Sequence, residues 1–398
     1  MKILVINCGS SSIKFKLFEM PEENLISYGS VEKIGEEISI FKYFGKVNIV
    51  KEMKINNHEQ GIELIANTLL ENEIKNIEEI KGIGHRVVHG GERFTGSIKI
   101  EEEVIKEIEQ HSFLAPLHNP HNLAGIKGCM KLFPHTVQVA SFDTAFHTTM
   151  PKISYLYAIP YSFYEKYKIR KYGFHGTSHR YVARRTAEIM GKGKYDINVI
   201  TCHLGNGCSI TAVKNGKSYD TSMGLTPLEG LIMGTRSGDI DPGVILYCLE
   251  GLNLKPSEIS EILNKKSGLY GISEISNDFR NLLPLYGKNE KVTLAIDMFC
   301  YRLKKYIGSY MAVLGKVDAI VFTGGIGENV PLVREKSLEN LEIFGVIIDK
   351  DKNKEIVGKE GEISKEESNI KIFVIPTNEE LRIAFDTYQI VRESIPEK

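Results

Sequence analysis

Two arginines and a histidine stand beside glycines in this chain. Arg86 lies in His85-Arg-Val-Val-His89-Gly-Gly91, His175 in Tyr172-Gly-Phe-His175-Gly-Thr-Ser-His179, and Arg236 in Gly234-Thr-Arg236-Ser-Gly-Asp239. Glycine neighbours let a backbone and a ligand approach closely, and a guanidinium suits two-point capture of carboxylate or phosphate. Together they are the set that phosphoryl transfer requires. That reaction spreads charge over equatorial oxygens and is catalysed mainly by positioning and cationic stabilisation. Taken singly, each has a plainer reading: Arg86 as one half of a surface ion pair, the other two as loop residues. Asp143, in Ser141-Phe-Asp143-Thr-Ala-Phe-His147, follows the strand-like run 136–140. An acidic residue there suits a general base or metal orienter, and equally a helix N-cap.

Three glycine-rich loops follow strand-like runs: Asn7-x-Gly9-Ser10-Ser11-Ser12, with Lys14 close behind; Gly205-Asn206-Gly207; and Gly324-Gly-Ile-Gly-Glu-Asn329. Backbone N–H groups in such loops can face a phosphate unobstructed. One alone reads as a hairpin turn, but three at strand ends favour anion binding. The common nucleotide signatures fail. Gly216-Lys217-Ser218 would need a glycine where Thr211 stands, and the GxGxxG fingerprint meets Val330 and Ile210 instead of glycine. His118-Asn-Pro-His121 and the pair His85 and His89 raise a zinc alternative. Pro120 is expected to break the first helix, Gly90 crowds the second pair, and no HExxH is present.

The positioning elements alternate between strand and helix, which places the fold in the α/β class. Strands are expected at 2–7, 13–18, 81–88, 136–140, 196–201, 209–213, 317–322 and 370–375, with Asn215-Gly216 as a hairpin turn. Helical patterns run over 59–80, 101–110 and 379–393. The run strand, Gly/Ser/Asn loop, strand with Ser-Ile occurs at the N-terminus and again near 200, a weak internal repeat. Texture changes near residue 150, at Met150-Pro151, so the chain of 398 residues divides into two domains of roughly 150 to 200 residues. The net charge of −1 gives no general field for nucleic acid or an anionic membrane. No apolar stretch approaches the roughly 18 residues of a spanning helix, and no secretory signal is evident at the N-terminus. The 6 cysteines, none in a CxxC pair, read as reduced thiols of a cytoplasmic protein.

The blocks Val5-Ile-Asn-Cys-Gly-Ser-Ser-Ser-Ile-Lys14 and His85-Arg-Val-Val-His-Gly-Gly91 resemble two signatures of the acetate kinase family. The blocks at 174–179, 203–207, 234–239 and 324–329 are also similar to that family's, in its usual order, from residue 1 to about 390. The resemblance implies an actin-like ATPase fold: two duplicated ribonuclease-H-like domains with a cleft between them. The first would comprise 1–147 plus 383–398, where the C-terminal helix returns, and the second 148–382. It also implies a homodimer.

By the same resemblance, Asp143 orients or activates acetate, Arg86 and Arg236 hold carboxylate and phosphoryl oxygens, and His175 stabilises the phosphoryl group in flight. Asn7 and Glu379 organise Mg²⁺, or Mn²⁺ in its place. Lys14, Ser10 and Ser12 lie near the phosphates. His203, Leu204, Gly205, Asn206, Gly207, Asp278, Phe279, Arg280, Gly325, Ile326, Gly327, Glu328 and Asn329 hold ATP or ADP. Val88, Leu117, Phe174 and Pro227 line a small pocket for the methyl group, beside Arg86. The implied reaction is ATP + acetate ⇌ ADP + acetyl phosphate, by direct in-line transfer. The rivals are a propionate kinase with the same machinery and a non-catalytic actin-like ATP-binding protein.

Overall fold

The computed structural model describes residues 1–116 and 118–394, which form two compact units. The first unit holds Met1–Thr148 and the tail from Asn378; the second holds Thr149–Thr377.

The first unit is built on an eight-stranded sheet. Its strands are β1 Lys2–Cys8, β2 Ser12–Glu19, β3 Asn24–Glu32, β4 Ser39–Phe44, β5 Asn48–Met53, β6 Ile80–Val87, β7 Ile98–Lys99 and β8 Val137–Phe142, in the order β5-β4-β3-β2-β1-β6-β8-β7. β1 to β5 form an antiparallel meander, while β1, β6 and β8 run parallel. β1 is central, and its apolar run is buried on both faces. Leu4 and Ile6 join the core made with helices His58–Asn72 and Asn119–Leu132. Ile3 and Val5 pack on the opposite face, against Ile383, Ala384, Tyr388 and Val391 of helix Glu379–Ser394.

The second unit carries a six-stranded sheet of β9 Val199–Leu204, β10 Cys208–Lys214, β11 Lys217–Thr221, β12 Ala319–Thr323, β13 Gly361–Glu362 and β14 Lys371–Val374, in the order β11-β10-β9-β12-β14-β13. β9, β10 and β11 are antiparallel, and β9, β12 and β14 parallel. The five strands β3-β2-β1-β6-β8 and the five strands β11-β10-β9-β12-β14 therefore repeat one another in order and direction. Each fifth strand is edged by a short antiparallel strand, β7 or β13. The weak repeat read at the two Gly/Ser loops is the visible end of this duplication, as the actin-like class requires. Helix Glu290–Leu314 buries Val292, Ala295, Ile296, Phe299, Leu303, Ile307, Tyr310 and Leu314, a stripe with helical spacing.

Several expectations shift. The pattern over 59–80 stops as a helix at Asn72. A 3₁₀ turn, Ile77–Glu79, then leads into β6. The run expected from 196 begins as β9 only at Val199, because Asn198 serves as a bracket: its side chain accepts from Asn215 N–H, and its own N–H donates to Asp318. Pro120 does not break a helix. It sits in the first turn of Asn119–Leu132, where a missing N–H costs nothing. The described cysteines form no disulfide; all are buried except the half-buried Cys248. No described helix is long and apolar enough to cross a membrane.

Candidate functional site

In each unit the parallel strands end at one edge of the sheet, so the residues that follow them are delivered together. In the first unit β1 ends at Cys8, β6 at Val87 and β8 at Phe142. Asn7, Arg86, Val88 and Asp143 all fall at these ends.

Arg86 donates two parallel hydrogen bonds to Asp143, Nε to Oδ1 at 3.0 Å and Nη2 to Oδ2 at 2.7 Å. Asp143 is buried and is tied to β6 by its own N–H, which donates to Val87 O. The expected N-cap alternative for Asp143 gives way to this two-point pairing. Glu379, at the start of the C-terminal helix, puts Oε2 3.7 Å from Arg86 Nε. Burial disfavours the charge on Arg86, but the carboxylates of Asp143 and Glu379 outweigh it and raise its pKa. Glu379 is pushed up, first by burial and further by Asp143 and Glu380, against the pull of Arg86 and Lys14.

The loop Gly9–Ser12 connects β1 to β2 and places Asn7 opposite Lys14 in the ladder. Gly9 N–H donates to Ser12 O at 2.8 Å, and Ile34 N–H to Ser11 O at 2.9 Å. The N–H groups of Ser10 and Ser11 have no bond to the described residues. Ser10 and Lys14 are exposed and Ser12 is half-buried. Two asparagines that sequence reasoning missed brace this edge. Asn122 donates to Cys8 O at 2.7 Å and accepts from Val88 N–H at 3.2 Å, while Asn119 accepts from His89 N–H at 3.0 Å. The signal available was Asn-Pro-x-Asn, two amides one helical turn apart. Val88 is buried, and Leu117 lies outside the described residues.

In the second unit β9 ends at Leu204, β12 at Thr323 and β14 at Val374. His203, buried with Leu204 on β9, stacks on His175 with ring centroids 4.2 Å apart. His175 has a left-handed backbone (φ 56°) just before helix Gly176–Ile189. Its Nδ1 lies 2.9 Å from Ser209 Oγ, which also meets His179 Nε2 at 2.7 Å, and His179 Nδ1 meets Thr201 at 2.7 Å. His203 Nδ1 meets Ser178 Oγ at 2.8 Å, and Ser178 meets Thr377 at 2.7 Å. The polar residues 178, 201, 209 and 377 that orient these imidazoles carry no sequence signal of their own.

The loop Gly205-Asn206-Gly207 closes with Gly205 N–H on Gly207 O at 3.1 Å, much as Gly9 closes on Ser12. Gly207 lies close to both side chains: a methyl group there would stand 3.4 Å from His175 Nε2 and 3.6 Å from Arg236 Nη1. Arg236 donates to Pro227 O at 2.9 Å. Among the described residues no carboxylate pairs with it, and burial lowers its pKa, with Cys208 opposing weakly. Asn206 accepts from Asn277 at 2.9 Å, and its carbonyl accepts Gly234 N–H at 3.0 Å, so the loops carrying Asn206 and Arg236 are joined.

Gly325, Ile326, Gly327, Glu328 and Asn329 form a short helix Gly324–Asn329 after β12. Glu328 turns its carboxylate inward, accepting from Gly324 N–H at 2.7 Å and Thr377 N–H at 3.1 Å. Arg334, fully buried, was missed; its Nη1 bonds Gly327 O and Glu328 O, which pins that helix from behind. Asp278 and Arg280 pair with each other at the surface, while Phe279 is core, edge-on to Phe299. Phe174 is buried and Pro227 half-buried.

No group of three or more His, Cys, Asp or Glu fit to hold a metal occurs among the described residues. The zinc alternative falls for local reasons too. His85 bonds Gln138 at 2.7 Å in the core, His89 stacks on His111, and His121 stacks on His58.

Residues 2–385 match the model of the acetokinase family. An acetate kinase of Halothermothrix orenii is 55% identical over 98% of this chain and 100% of its own length. Among solved structures, an acetate kinase of Porphyromonas gingivalis superposes with a TM-score of 0.92 at 48% identity, covering 98% of this chain and 99% of its own. A propionate kinase from Francisella tularensis gives 0.93 at 46%, with the same coverage.

Proposed function

The chain belongs to the acetokinase family, and from that premise we propose that it transfers a phosphoryl group between ATP and acetate, giving acetyl phosphate and ADP. The observation that supports this most is the contrast between two arginines, one in each unit. Arg86 is neutralised by Asp143 and held rigid. Arg236 is buried, uncompensated by any described carboxylate, and set beside a glycine loop and His175.

In this reading Arg86 and Val88 receive the small carboxylate, with Phe174 and Pro227 facing its methyl group. Asp143 acts by holding the guanidinium plane rather than by taking a proton. The carboxylate oxygen of acetate attacks the γ-phosphorus directly, so no enzyme nucleophile is required. Arg236 and His175 stabilise the charge on the equatorial oxygens as the bond to ADP breaks. Lys14 with Ser10 to Ser12, and the loops at 203–207, 278–280 and 325–329, hold the nucleotide.

Asn7 and Glu379 suit a hard divalent cation such as Mg²⁺. Both offer oxygen, and the Glu379 carboxylate, only 15% exposed, makes no hydrogen bond to a described residue. When bound, such an ion neutralises phosphate charge and orients the phosphoryl chain. In this reading the protein is cytoplasmic and works as a homodimer, for which the exposed Leu246 and Tyr247 offer apolar surface.

Trapping acetyl phosphate as its hydroxamate tests the reaction. No product with ATP, Mg²⁺ and acetate would sink the proposal, and would favour a nucleotide-binding protein without catalysis. The likeness to a propionate kinase keeps a second substrate in play, because one methylene is worth only about 1–3 kcal/mol in an apolar pocket. Ranking kcat/KM for acetate, propionate and butyrate decides between them.

A further inference from the structure

His58 has no part in the scheme above. It opens helix His58–Asn72, directly after the cap Asn57, and its Nε2 lies 2.7 Å from the carbonyl oxygen of Gly9. The carbonyl can only accept, so Nε2 carries the proton. The ring is itself held, stacked on His121 with centroids 5.6 Å apart and planes 23° from parallel.

The consequence runs through one peptide plane. The Gly9 carbonyl and the Ser10 N–H belong to the same planar trans peptide, so they point in opposite directions. A bond that draws the carbonyl towards His58 turns the Ser10 N–H away from it. Gly9 is where this plane could turn over, since no Cβ obstructs rotation there. The rest of the loop is tied down, by Gly9 N–H on Ser12 O and by Ile34 N–H on Ser11 O. The two orientations differ in sign for an anion: one presents an N–H, the other a carbonyl oxygen.

We propose that His58 is a positioning residue for phosphate binding, locking the Gly9–Ser10 peptide so that the Ser10 N–H faces the phosphate chain of the nucleotide. This rests on residues 7–14 being the phosphate grip of the proposed kinase. His58 touches no substrate and acts only through the loop. His121 serves as the wall that keeps its ring in plane.

The test uses the full chain. Acetyl phosphate formation by the unsubstituted protein is measured first, which examines the kinase reading separately. His58→Ala and His58→Gln are then compared, because glutamine keeps an N–H donor near the Nε2 position. The alanine variant should raise KM for ATP about tenfold or more, the scale of one hydrogen bond supporting a charged ligand. Its KM for acetate should rise much less, because His58 bonds Gly9 and not Arg86 or Val88. Glutamine should restore most of the ATP affinity. In ¹⁵N-labelled protein a non-hydrolysable ATP analogue should shift the Ser10 amide in the unsubstituted and glutamine proteins, and much less in the alanine variant. Should alanine prevent folding, the glutamine protein and the Ser10 amide shift of the unsubstituted protein decide. An unchanged KM for ATP in folded His58→Ala, equal rises in both KM values, glutamine no better than alanine, or a Ser10 amide indifferent to the analogue in active protein would each overturn the proposal.

Discussion

Arg86 and Asp143 face each other across the ends of β6 and β8, joined by two parallel hydrogen bonds of 3.0 and 2.7 Å. The aspartate is buried, so removing the arginine strands it, whereas Arg86 keeps Glu379 beside it when the aspartate goes. Arg86→Ala should destabilise the protein by about 3–5 kcal/mol, the cost of an uncompensated buried charge. Arg86→Ala with Asp143→Ala should recover much of that stability and none of the activity. Urea unfolding and hydroxamate assays on the two single variants and the double variant separate the structural role from the catalytic one.

Arg236 makes the opposite prediction. It has no described carboxylate partner, so its loss strands no charge. Arg236→Ala should leave the melting temperature unchanged or raise it, while kcat falls about 10²-fold or more. Lysine should rescue poorly, because its point charge cannot reproduce the planar fork. A near-normal kcat in Arg236→Ala would remove it from the chemistry.

His85 supplies a pH dependence of stability. Burial lowers its pKa from 6.5 to about 4, partly offset by its bond to Gln138. The unfolded chain therefore takes up this proton first as pH falls. The contribution to stability is complete above pH 6.5 and is lost progressively towards pH 4, by about 3 kcal/mol in all. Melting curves between pH 7 and 4 should show this decline, and His85→Gln should flatten it. An equal slope in both proteins would assign the acid sensitivity elsewhere.

Gly84 on β6 lies directly beneath the C-terminal helix. A methyl group there would stand 2.6 Å from Ile383 Cγ2 and also press on Thr387 Oγ1. Gly84→Ala should cost about 1–3 kcal/mol through overpacking. Because that helix carries Glu379, the proposed Mg²⁺ residue, the variant should also need more Mg²⁺ for half-maximal rate. Unchanged metal dependence in a destabilised Gly84→Ala protein would separate the helix from the proposed metal site.

The α/β class and the strands β1, β6, β8, β9 and β12 were legible because buried parallel strands carry apolar runs, four of which stop close to glycines. β3, β4 and β5 were not, since β5 lies at the sheet edge with little apolar patterning. The duplication showed only at its two loops, because strand order and direction leave no short-range trace. Of the site, the charged residues could be found by type and by their glycine neighbours. The side chains that orient them could not: Asn122, Ser178, Ser209, Thr377 and Arg334 are ordinary polar residues until the fold sets a carbonyl or a ring nitrogen beside each. The ring of Phe279, named with a nucleotide loop, lies in the core, a placement its neighbours in the sequence do not announce.

The last helix completes the first unit's core, in which Ile383, Ala384, Tyr388 and Val391 cover Ile3, Val5, Phe18 and Met20. A ribosome makes the strands long before it makes the helix that covers them. The opening strands leave the exit tunnel with one apolar face bare, and that face stays bare while the whole second unit is translated. Folding of the second unit can proceed as its residues emerge, but the first closes only once that helix has been made. A nascent chain stalled before residue 378 should therefore be chaperone-bound through residues 3–20, and released once the final helix is made.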